Sequence, residues 1–182
     1  MKTLFTAGIL ICCFSSNAQQ FVCKEGKVHF FSQAALENIE ATTQQVVCAL
    51  NTENGKVFAK IPINSFRFNE KLMEEHFNEN YLESDKIPYA TLDAVIQEKI
   101  DYTKDGEYPI KLAGTLDIHA VKKEYTINGK LTIKNGVPSI GTANFSVALV
   151  DHKIKIPKVV MMNIAEVIKV DVEFAFEKYE KK

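Results

Sequence analysis

The chain carries four histidines, His29, His76, His119 and His152, and four cysteines. Metal binding by histidine needs ligands at short, fixed spacing, such as i and i+4 on one helix face. No two of these four are so placed. Glu75, His76 and Glu79 gather on one helical stretch, where they read as a solvated face. Asp151-His152 could be the base half of an activated nucleophile, but its loop offers no nucleophile beside it. The chain has no G-x-S-x-G, no H-E-x-x-H and no Gly-rich phosphate loop. Catalysis would need residues assembled only by the fold. The residues therefore point away from an enzyme and call for no cofactor or metal.

The cysteines divide by position. Residues 1–18 have Lys2, an apolar run from Leu4 to Phe14, and Ser16-Asn17-Ala18 as a small-x-small cleavage site. That is an export leader, with cleavage expected after Ala18. The apolar run is short of the ~20 residues a membrane-spanning helix needs. Ile11 before Cys12, and Cys12 before Cys13, make a poor lipid-attachment site. Cys12 and Cys13 leave with the leader, and Cys23 and Cys48 remain. Export implies a periplasmic or secreted protein, in an oxidising compartment that permits a disulfide. If the first two strands form a hairpin, Cys23 and Cys48 fall near its open end. They are either bridged or two buried thiols.

Residues 19–182 then make one domain with a sizeable core. Apolar residues are 46% and charged residues 25%, as in ordinary globular proteins, and the net charge of -1 argues against nucleic acid as a partner. No later segment is apolar enough to span a bilayer as a helix, and a homodimer stays open.

Strand-like segments follow one another with turn residues between them. They are expected at 21–32, 39–50, 56–66, 89–100, 107–119, 123–133, 139–150 and 167–178, with a bulge or bend at Gly26. Ile168, Val170, Val172, Phe174 and Phe176 share one face of the last strand, against Lys169, Asp171, Glu173 and Glu177. The fifth and sixth strands alternate in the same way. Each strand has one apolar and one charged face, so the sheet buries a single side. The fold class is all-β: an eight-stranded antiparallel up-and-down barrel, its apolar face inward. An outer-membrane barrel has the opposite polarity.

One stretch breaks the alternation, FRFNEKLMEEHFNENYLESDKIPYATL at 66–92. Asn69 is a suitable N-cap for a short helix over 70–77, with Glu70 in its first turn. Leu72 and His76, with Met73 and Phe77, form an apolar stripe. Such a helix can bury that stripe across one end of the barrel. The space beneath would be lined by Leu72, Met73 and Phe77 on the helix. On the strands it would be lined by Leu92, Ala94, Leu112, Gly114, Tyr125, Ile127, Gly129, Phe145, Val147, Val172 and Phe174. Mid-strand Gly114 and Gly129 either mark bends where the barrel curls or leave room for a bound chain. The helix is either a plug on a filled barrel, which would be a structural or interaction module, or a lid over a cavity.

The order of these motifs resembles the YceI-like family of exported bacterial proteins. In that family a strand leads to a short helix, an aromatic stretch and a "yP-x-a-T-F" run. Here those are Leu72-Met73, His76-Phe77, Tyr81-Leu82 and Lys86-Ile87-Pro88-Tyr89-Ala90-Thr91-Leu92. The family's "G-x-L-T-I-x-G" segment corresponds to Gly114-Thr115-Leu116-Asp117-Ile118-His119-Ala120, with Asp for Thr and Ala for the second Gly. The resemblance implies a lipocalin-like barrel with a helix at one end. It also implies a lipophilic partner, such as a polyisoprenoid, a quinone or a fatty-acid-like amphiphile, with links to lipid carriage or stress response and no enzyme activity.

Overall fold

The computed structural model describes residues 20–34, 37–157 and 164–180. The expected leader lies outside the described residues. The strands are β1 (Gln20–Gln33), β2 (Asn38–Asn51), β3 (Lys56–Pro62), β4 (Arg67–Phe68), β5 (Tyr89–Ile96), β6 (Gly106–Ile118), β7 (Val121–Lys134), β8 (Val137–Ala148), β9 (Val167–Ala175) and β10 (Glu177–Lys178). All pairings are antiparallel, and neighbours in sequence are neighbours in the sheet. β1 pairs with β2 on one side and β9 on the other, which closes the sheet into a barrel. β4 continues β3 along β2, and β10 continues β9 along β1. The ten segments thus make eight staves, the architecture expected from the alternation.

The differences from expectation lie at the breaks. The third stave stops at Pro62, and a 3-10 turn over Ile63–Ser65 precedes β4. Ser65 is buried there, donating to the Pro62 carbonyl at 2.6 Å with its oxygen 2.6 Å from the Thr43 hydroxyl. β5 ends at Ile96 rather than 100. Register shifts flank Gly26 in β1, the expected bulge, where an added Cβ would lie 2.5 Å from Phe174. Asn135 and Gly136 both have positive φ in the β7–β8 hairpin, as a two-residue primed turn requires. His119 and Ala120 do the same between β6 and β7.

Alternation sends one row of each stave inward, and the two ends of the interior differ. Around the start of β1, Phe21, Leu50, Leu131 and Ile133 are each 1% exposed and meet in a solid core. Cys23 and Cys48 lie in that core directly opposite one another, and both thiols are free. The pairing matches the expected hairpin, but the bridge is not formed. Burial raises the Cys23 thiol above its ordinary range, so it stays protonated.

The other end carries helix α1 (Lys71–His76), followed by a π-helical turn over Phe77–Tyr81. The N-cap is Glu70, one residue later than Asn69, and no side chain bonds the first turn. The helix is anchored by Glu74 instead of by a cap. Glu74 bridges the Arg67 guanidinium at 3.1 Å and the Phe68 N–H at 3.2 Å, tying the helix to β4. Among the described residues no helix is long and apolar enough to cross a membrane.

Candidate functional site: a capped apolar cavity

Below α1 the staves enclose a cavity of about 370 Å³, within the range of small-molecule sites. Leu50, Ile96, Ile110 and Leu131 form its floor on the packed end. The walls come from inward rows of every stave, and the roof is aromatic. Phe77 lies 5.5 Å from Phe30, 5.7 Å from Phe66 and 5.0 Å from Phe68, centroid to centroid. Such stacked and edge-on pairs hold one another at fixed angles, so the roof is ordered without being filled. Polar groups on the lining are few: Ser32, Glu37, His76, Tyr81, Lys130 and Thr142.

Nine of the residues predicted to line the space do so: Met73, Phe77, Leu92, Leu112, Ile127, Phe145, Val147, Val172 and Phe174. Five do not. Leu72 is 61% exposed, because it sits about 100° around the helix from Met73, and the half-buried, cavity-facing stripe runs along Met73 and Phe77. Ala94 and Gly114 face each other across β5 and β6. A Cβ on Gly114 would lie 2.2 Å from the Asp93 carbonyl and 2.4 Å from Ala94 Cα. A Cβ on Gly129 would lie 2.6 Å from the Thr142 carbonyl. These glycines allow close approach of neighbouring staves and leave no room for a ligand.

Tyr125 turns toward His152, which is fully buried. The rings stack with centroids 6.0 Å apart, and the tyrosine hydroxyl is 3.3 Å from His152 Nε2. His152 Nδ1 is 3.0 Å from the Val121 carbonyl, which can only accept. Nδ1 therefore carries the proton, and Nε2 accepts from Tyr125. Burial, reinforced by the charge of Asp151, raises the Tyr125 phenol and keeps it a donor.

Period two would have found Phe30, which follows Val28 on the inward row of β1, and Phe66 and Phe68 around Arg67. Tyr81 had no such signal. Four residues of α-helix overshoot a full turn by about 40°. The wider turn, closed by Leu82 N–H to the Phe77 carbonyl at 2.9 Å, takes up that drift and brings Tyr81 back onto the cavity side. π-turns of this kind recur at functional sites.

The cap is also held from its far side. His119 Nδ1 is 3.3 Å from the His152 carbonyl and Nε2 is 3.2 Å from Glu83, which also accepts from Lys86 at 2.6 Å. Lys86, then His119, hold the Glu83 carboxyl below its ordinary range. Among the described residues no three His, Cys, Asp or Glu side chains come together as metal ligands. What the site offers is enclosed apolar surface with few polar groups.

The YceI-like domain model matches residues 20–176. Among solved structures, a polyisoprenoid binding domain from Saccharophagus degradans, implicated in plant cell wall breakdown, is 12% identical with a TM-score of 0.71, covering 89% of this chain and 99% of that one. Burkholderia cenocepacia BcnA is 13% identical with a TM-score of 0.65, covering 81% and 94%. The Campylobacter jejuni YCEI protein is 17% identical with a TM-score of 0.57, covering 100% and 94%. These likenesses are of fold. No protein of curated function matches significantly.

Proposed function

The chain belongs to the YceI-like family, and from that premise we propose that it is a non-enzymatic carrier that holds a lipophilic chain in the barrel. The observation that carries this reading is the cavity itself: the interior is hollow, apolar and roofed by an aromatic cap. A barrel serving only as a structural module would have no use for that hollow. The description of the Saccharophagus relative as polyisoprenoid binding supports a chain of isoprenoid or quinone type. With its leader removed the protein would work in the periplasm or outside the cell, in lipid carriage or stress response. One barrel encloses a complete site, so binding needs no homodimer.

The energetics suit a carrier. Each buried CH₂ is worth ~0.8 kcal/mol against water, but a membrane interior is equally apolar, so transfer from membrane to barrel is nearly neutral. Loading and release then need only an opening cap. Organic extraction of natively purified protein, followed by mass spectrometry, should recover a lipophile in near-stoichiometric amount. A clean apo protein that also takes up neither isoprenoids nor fatty acids would overturn the reading.

A further inference from the structure

β7 and β8 are neighbours, yet their ladder stops partway, running from Lys134 opposite Val137 only as far as Gly129 opposite Ala143. Toward the capped end, 121–128 of β7 pair with β6 alone and 144–148 of β8 with β9 alone. The barrel wall therefore has a slot. It is closed below by the Gly129–Ala143 pair and above by the 3-10 turn Leu149–His152, where His152 meets the Val121 carbonyl. Ile127 on one flank and Ala143, Phe145 and Val147 on the other all line the cavity, so the slot lies in the cavity's own wall. Tyr125 and Phe145 stand edge to face there, with centroids 6.4 Å apart.

Alternation turns Thr126 and Asn128 of β7, and Asn144 and Ser146 of β8, outward beside the slot, and all four are exposed. None is charged, although the same row of β7 carries Lys122, Glu124 and Lys130. Asn144 donates to Asp171, while the side chains of Thr126, Asn128 and Ser146 bond no described residue. Resting on the carrier reading above, we propose that the polar end of the bound lipophile leaves the apolar interior through this slot, and that the ligand is an amphiphile with a hydrogen-bonding end rather than a bare hydrocarbon. The unpaired backbone N–H and C=O groups along the slot must be satisfied by water or by a ligand. A hydrocarbon would cover them without bonding them, at a cost. An oxygen-bearing end can bond both the backbone and the side chains outside it, which fixes the direction in which the chain lies. A second protein strand fits less well, because it needs a free edge to run along and this slot is closed at both ends.

Geranylgeraniol carrying a photoreactive diazirine beside its hydroxyl should, on irradiation in the native complex, label peptides spanning 121–130 and 141–149. The same alcohol with the diazirine at its far end should label the cavity floor, at Leu50, Ile96, Ile110 or Leu131. Thr126→Val with Ser146→Ala, both at exposed positions, should weaken geranylgeraniol about fivefold, the size of one net hydrogen bond, and leave squalene unchanged. Hydroxyl-end labelling on the floor or on α1, or equal alcohol binding by the double variant, would overturn the inference while the carrier reading stands. Failure of both the alcohol and squalene to bind would overturn both.

Discussion

Around the start of β1, Phe21, Leu50, Leu131 and Ile133 are each 1% exposed and belong to one buried cluster, with Leu50 and Leu131 also bounding the near end of the cavity. Under α1, Phe30, Phe66, Phe68 and Phe77 meet one another, with centroids 5.0 to 5.7 Å apart, and leave the axis open. The same staves and the same alternation supply both ends. The difference lies in what interrupts the staves. At the packed end tight turns and a continuous sheet hold opposite walls within side-chain reach. At the capped end β3 gives way to a 3-10 turn and the chain leaves the sheet for a helix. Its aromatic side chains then close a ring above the space without crossing it. Closure of a sheet fixes a barrel's width, and local breaks decide which part of it stays empty.

The largest test of this contrast is a pair of phenylalanines. Phe21→Ala should cost about 4 kcal/mol in chemical denaturation, because the surrounding core cannot collapse into the void, and should leave lipid uptake intact. Phe77→Ala should cost about half as much, since one side of its ring already faces empty space, and should weaken lipid binding about tenfold. Equal stability losses would erase the distinction between the ends.

The buried thiol at the packed end gives a test of similar size by pH. Burial, with a smaller contribution from Cys23, pushes Cys48 up to about 12 from an ordinary 9.0. The folded state therefore favours the protonated thiol. Its stabilisation is complete below pH 9 and is lost as pH rises through about 12, up to about 4 kcal/mol at 1.36 kcal/mol per pH unit. Stability measured from pH 8 to 11 should fall in the native protein and fall less in Cys48→Val. Identical slopes would place Cys48 in contact with water, and the packed end would not be solid.

Gly114→Ala tests the waist between the two ends. The new methyl would meet the Asp93 carbonyl and Ala94 Cα, both backbone, so strands must separate at a cost of about 3 kcal/mol. If the variant is as stable as the native protein but takes up less lipid, the glycine is part of the ligand space after all.

That waist also shows what kind of information a sequence holds. The staves were legible because alternation is local: Val170, Val172 and Phe174 declare their face without reference to any other strand. Asn135-Gly136 declares its turn in the same way. Gly114 declares only a missing side chain, and whether a ligand or a neighbouring backbone takes that room depends on β5, twenty residues earlier. Tyr125 was diverted by His152, a residue from a distant loop. Leu72 and Met73 are adjacent and both apolar, so only the position of the barrel beneath decides which one is buried. The π-turn that presents Tyr81 has no pattern of its own.

The smallest effect concerns how the cap is held. Glu83 joins it to the β6–β7 turn through His119, and Lys86 bonds the same carboxylate. Exposed pairs of this kind contribute little to global stability, so Glu83→Gln should barely move the denaturation midpoint. Local opening is a different quantity, because the segment after α1 can detach without unfolding the barrel. Amides of 84–88 should exchange faster in Glu83→Gln, and amides of β7 should not. The carboxyl is held below its ordinary range, so the latch is intact near neutral pH and is lost as pH falls through that lowered range. Acidification should then make the native cap exchange like the variant's. Unchanged exchange in Glu83→Gln would mean that the phenylalanine ring alone holds the cap, and the capped end would owe its closure entirely to packing.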